Sequence, residues 1–134
     1  MTAPGPMTVA ARAVAAAIRH GVETAQIPPV TVAAVTDDTA TPAAPFVAVM
    51  PPSIDSGSVS GLRAARATAR VPLRVAAATA TDAAGLVALA DSVLAVLLRA
   101  GMQLDSIGPT VIAAGAATLP GYDLSVLLVA EWEL

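Results

Sequence analysis

The chain has no cysteine, one histidine and almost no aromatic residues. Without cysteine there is no disulfide framework, no thiolate zinc site and no cysteine nucleophile. A lone His20 excludes any site that needs two imidazole ligands, and leaves little from which side chains could build a metal centre. Three scattered rings, Phe46, Tyr122 and Trp132, cannot form the stacking platforms that hold single-stranded nucleic acid. Lysine is also missing: all seven basic residues are arginine, set against ten acidic ones, for a net charge of −3. That balance disfavours bulk binding to DNA or to an anionic membrane surface.

Apolar residues are plentiful instead, at 56% of the 134 positions. The most apolar stretch, Ala83–Leu98, carries Asp91 and Ser92 at its middle. It falls short of the roughly 20 apolar residues of a bilayer span, and a central aspartate is costly there. Met1–Met7 has no basic residue ahead of an apolar run, so no secretory signal is expected. The length suits a single domain, 1–134, that is soluble and cytosolic. A subunit interface is then a natural sink for the surplus of small apolar side chains.

Periodicity gives the elements. Thr8 can cap a helix over about Val9–His20, with Val14 and Ile18 on one face, Arg12 and Arg19 on the other, and Gly21 as its stop. Strands are predicted at Val30–Val35 and Pro45–Met50, joined as a hairpin through the turn-rich Asp37–Pro42. Pro51–Arg70, rich in Pro, Ser, Gly and Arg, reads as a long mobile loop, and Pro72–Thr79 as the next strand. Thr81 or Asp82 caps a second helix, Ala83–Ala100, which Gly101 closes. Thr110–Ala114 is a short strand and Leu119-Pro120-Gly121 a turn. Tyr122–Leu134 alternates with period two over thirteen residues, the strongest strand signal in the chain. The order α-β-β-loop-β-α-β-β predicts an α+β two-layer sandwich: a mainly antiparallel four- to five-stranded sheet with both helices on one face.

No phosphate loop, nucleophile elbow or dinucleotide fingerprint is present, so no enzyme activity, cofactor or metal is expected. Asp37-Asp38 reads as a turn former, His20 as a helix-end residue, and Asp91 and Arg99 as solvated. Bulky apolar residues cover too much of the second helix for one sheet to bury. Leu86, Leu89, Val93 and Leu97 form the core face, and Val87, Leu94 and Leu98 form an outer flank. That flank, with Leu127 and Val129 on the second face of the last strand, is the candidate subunit interface. Arg63, Arg66 and Arg70 leave three readings open: phosphate contact, pairing with acids of a neighbouring subunit, or a solvated loop.

The layout resembles a known family. The opening helix leads into a Pro-flanked strand. Later come Thr81-Asp82-Ala83-Ala84-Gly85-Leu86 and its Leu/Val/Ala helix, a short strand, Leu119-Pro120-Gly121-Tyr122 and a closing apolar strand. This order is similar to the tail terminator, or tail completion, proteins of long-tailed bacteriophages of the siphophage type, over roughly Thr8–Trp132. The resemblance implies a virion protein, made in the host cytoplasm, with neither cofactor nor catalysis. Six copies would form a homohexameric ring on the head-proximal end of the tail tube. The ring would stop tube polymerisation and dock the head-completion or neck protein, with DNA passing through its hole. The arginine cluster would then contact lumen, tube or neighbouring subunit. Two other classes stay open: another head–tail joining (neck or stopper) protein, and a small cytosolic ligand-binding domain or enzyme.

Overall fold

The computed structural model describes residues 4–34, 44–55, 64–114 and 117–133. Two helices lie on one face of a six-stranded, mixed and mainly antiparallel open sheet, an α+β two-layer arrangement. The elements run α1 (Pro6–Glu23), β1 (Thr31–Ala34), β2 (Phe46–Val49), β3 (Ser53–Ile54), β4 (Ala64–Ala76), α2 (Ala83–Arg99), β5 (Gln103–Ala114) and β6 (Ala117–Glu133). Strand order is β1-β2-β4-β6-β5, and β3 pairs with β4 further along the edge that β2 occupies. β4 and β6 form the spine, paired without interruption from Ala64↔Glu133 to Ala76↔Gly121.

Period-two alternation assigns the two faces. Val71, Leu73 and Val75 of β4, with Leu124, Val126 and Ala130 of β6, turn toward the helices. There they meet Ala10, Ala11, Val14 and Ile18 of α1 and Leu86, Leu89, Val93 and Leu97 of α2. Burying each branched side chain fully contributes about 1.5–3 kcal/mol. Ala10, Ala11 and Ala15, all buried, keep side-chain bulk small beside Val14 and Ile18 on this face of α1. Gly21 serves the same end between the helices: a Cβ there would stand 2.9 Å from Ile27 Cδ1 and 3.0 Å from Val96 Cγ2. A smaller cluster of Phe46, Ala76, Ile112 and Leu119 lies on the opposite face of the sheet.

Several sequence expectations need correction. Helix α1 starts at Pro6 behind Gly5 with no side-chain cap, and it runs through Gly21 to Glu23. Thr8 is thus inside it, and Gly21 is a contact point rather than a stop. The first two strands do not form a hairpin: β1 and β2 are parallel, Thr31↔Phe46 to Ala34↔Val49. The link between them approaches the dozen residues that a parallel crossover needs, and turn-forming residues do not dictate strand direction. Val35 and Asp37–Pro42 lie outside the described residues.

The supposed loop Pro51–Arg70 contains β3 and the first half of β4. Its inward positions Ala67 and Ala69 are alanine, so the alternation with Arg66, Thr68 and Arg70 lacks the branched residues that usually reveal a strand. Leu119-Pro120-Gly121 is not a turn but part of β6, and β5 begins at Gln103, not Thr110. Gly121 is needed for a different reason. A Cβ there would lie 2.6 Å from the Val75 carbonyl oxygen and collide with Ile112 Cδ1. The expectations for α2 hold: Asp82 Oδ1 accepts a hydrogen bond from the Gly85 amide at 3.1 Å, and Gly101 takes a left-handed conformation (φ +88°).

Candidate functional site

The surface features that stand out are two apolar patches and a charged ladder, held on different sides of the sheet. The first patch starts on α2. Val96 faces α1, since it is the residue a Cβ on Gly21 would meet. At about 100° per residue, Val87, Leu94 and Leu98 lie roughly opposite Val96 around the helix. They therefore point away from α1, toward the β5 side of the sheet. Val87 is 46% and Leu98 48% exposed, while Leu94 is half-buried. Beside them, on the helix side of β5, Ile107 and Val111 are 43% and 71% exposed. Ile107 pairs with the inward-facing Leu124, and Val111 continues that alternation, which sets both on this side. Helix flank and strand edge together make a ledge of large apolar side chains. Sequence reasoning missed the β5 half. The spacing Ile107, Pro109, Val111 carries the signal, but the short strand predicted at Thr110–Ala114 leaves Ile107 and Pro109 outside it.

The outer face of the sheet has a different character. Arg66, Arg70 and Arg74 recur every fourth residue on β4 and point away from the helices. Arg66 Nε lies 3.3 Å from Glu131 Oε1, Arg70 Nε 2.9 Å from Asp105 Oδ2, and Arg74 Nε 2.9 Å from Asp123 Oδ1. Asp105 reaches Arg70 from the register irregularity between Leu104 and Ser106. The face is charge-balanced, and each of these partly exposed pairs contributes about 1 kcal/mol or less. Ser125, between the Arg70 and Arg74 rows, is buried, and its hydroxyl has no partner among the described residues.

Val129 and Leu127 belong to this face. Val129, 54% exposed, lies along β6 between Glu131 and Leu127, and Leu127 is cross-strand from Arg70. The structure thus brings Leu127 and Val129 together with Arg66 and Arg70, and separates them from Val87, Leu94 and Leu98. Arg66 and Arg70 are strand residues with acidic partners in their own chain, not loop residues awaiting one. Arg63, Asp37 and Asp38 lie outside the described residues.

Among the described residues are two open clefts of about 240 Å³ each. One is mainly apolar, lined by Pro28, Pro29, Pro45, Ala78, Leu86 and Leu89 among others. Its acid, Asp82, is engaged as the α2 cap. The other lies beside Arg70, Thr68, Asp55 and Leu127. His20 is exposed in the last turn of α1, with its carbonyl accepting from the Thr24 hydroxyl at 2.9 Å. Among the described residues no three His, Asp or Glu side chains are grouped to hold a metal ion, and no helix is long and apolar enough to cross a membrane. Compared with models of known protein families and with curated proteins, the sequence matches none.

Proposed function

We propose that this chain is a structural protein of the tail-terminator kind, which assembles as a ring on the head-proximal end of a phage tail tube. Six copies would close the ring, stop tube polymerisation and present a docking surface to the head-completion protein. One observation carries the reading: large apolar side chains stay exposed on two differently oriented faces. Val87 and Leu98 lie on the flank of α2, and Val129 lies on the outer face of the sheet. An interface that repeats head to tail around a ring needs two unlike patches, one for each neighbour. Contiguous exposed apolar surface is also uncommon on a solitary small protein, and marks contact sites where it occurs.

Negative-stain images of the purified protein, alone and mixed with tube protein, test the reading. Rings alone, and tubes that stop at a capped end, are expected. Single small particles under both conditions would overturn it. A neck or stopper protein shares the ring logic, and would give rings that leave tube length unchanged. A ligand-binding domain or enzyme finds less support among the described residues, where the two clefts are open and the one acid of the apolar cleft is already spent on a helix cap.

A further inference from the structure

Among the described residues, β6 carries an open backbone edge next to the start of β5. Three hydrogen bonds fix its orientation. The Asp55 amide donates to the Thr68 carbonyl, the Met50 amide to the Pro72 carbonyl, and the Ala77 amide to the Pro120 carbonyl. Even-numbered residues of β4 therefore direct their peptide groups toward β3 and β2, and odd-numbered ones toward β6. Through the register Thr68↔Val129, the odd-numbered residues of β6 direct theirs toward β5. β5 opens at Gln103, opposite Leu127. Beyond that point the N–H and C=O groups of Val129 and Glu131 face the line β5 would have followed, and no described strand pairs with them. The Gly101 and Met102 amides turn back instead to the Leu98 and Leu97 carbonyls.

We propose that this edge, Val129–Glu131, receives an extended segment of a different protein as an added strand. The backbone groups set the kind of occupant, because only an extended chain presents alternating donors and acceptors at that spacing. The side chains set its chemistry. Val129 calls for an apolar neighbour. Glu131, held by one oxygen to Arg66 and still largely exposed, calls for a cation across the strand. β5's own open edge is blunted by the irregularity at Asp105 and by Pro109, which lacks an N–H. Neither device protects Val129–Glu131.

A second copy pairing through the same edge fits poorly. In the register centred on Ala130, Gln103 of each copy occupies the place opposite Leu127 that the other copy's Glu133 would need. The next register sets Glu131 opposite Glu131, and like charges directly opposite repel. The proposal deepens the assembly reading by giving the ring's dissimilar neighbour a binding mode, and its test separates the two.

The probe is a capped heptapeptide of alternating valine and threonine with one central arginine, added at millimolar concentration to the full chain. Amide exchange at Val129 and Glu131 is the readout, with the emission of Trp132, the one tryptophan, as a second signal from the same strand. Exchange at both amides is expected to slow about tenfold once peptide reaches ten times its Kd. The same peptide with central glutamate, or N-methylated at alternate residues, is expected to leave exchange unchanged. Val129→Pro, which removes one of the two edge amides, should abolish the response. Unchanged exchange with the arginine peptide, or equal slowing by the N-methylated one, overturns the proposal. The measurement is repeated on a dissociated variant, Leu98→Arg. Amides protected in the oligomer but open in the dissociated chain would assign the edge to a second copy and also overturn it. Failure of the ring alone would leave the peptide response intact.

Discussion

Replacing Leu98 with arginine separates assembly from folding. Leu98 lies in the last turn of α2 with about half its surface uncovered. Full burial of a leucine contributes about 1.5–3 kcal/mol, so about 1 kcal/mol is still to be gained in an interface. Arginine forfeits that gain and adds a charge whose desolvation costs several kcal/mol. The expected loss is therefore about 3 kcal/mol or more per contact, over a hundredfold in association. Folding should barely change, since a cation near a helix C-terminus is favourable by about 0.3–1 kcal/mol. Leu94→Arg acts in the same direction but is a poorer probe, because Leu94 is half-buried and its loss also unpacks the domain. Sedimentation velocity reads the assembly and urea unfolding reads the fold. A folded Leu98→Arg chain that sediments like the parent would refute the placement of this flank in the interface.

Three further outcomes test the fold. Gly121→Ala drives a methyl against the Val75 carbonyl and Ile112, so a loss of about 1–3 kcal/mol in chemical denaturation is expected; an unchanged midpoint would contradict the close approach. Asp82→Ala removes the cap on Gly85 and should cost about 1 kcal/mol, restored in large part by Asp82→Ser; equal stability of all three would mean the cap is idle. Arg74→Ala breaks a partly exposed ion pair and should shift stability by about 1 kcal/mol or less; a larger loss would give the ladder a structural weight that this geometry does not support.

The sequence was legible where one face of an element is lined with branched residues. Leu124, Val126, Leu128 and Ala130 announce β6, and Leu86, Leu89, Val93 and Leu97 announce α2, together with both of its ends. Legibility failed where alanine does the packing. Ala67 and Ala69 are fully inward, yet alanine carries no strand preference, so the first half of β4 looks like a loop and its arginines look free. It failed again at glycine and proline. Gly21 and Gly121 mark crowding by Val96, Ile27, Ile112 and Val75, contacts that only the folded chain brings together, and Pro120 lies within β6. Strand direction was a third gap, because nothing between Ala34 and Phe46 records that β1 and β2 run parallel. For the candidate interface, amphipathic counting found Val87, Leu94, Leu98, Leu127 and Val129. Only the sheet order reveals that they form two patches and that Ile107 and Val111 extend the first.

Native mass spectrometry of the unmodified protein at high micromolar concentration tests the central claim most directly, that copies of this chain cover one another. A single closed species at six times the 13.2 kDa chain mass is predicted. A spectrum holding only the one-chain mass, with or without tube protein present, would contradict it.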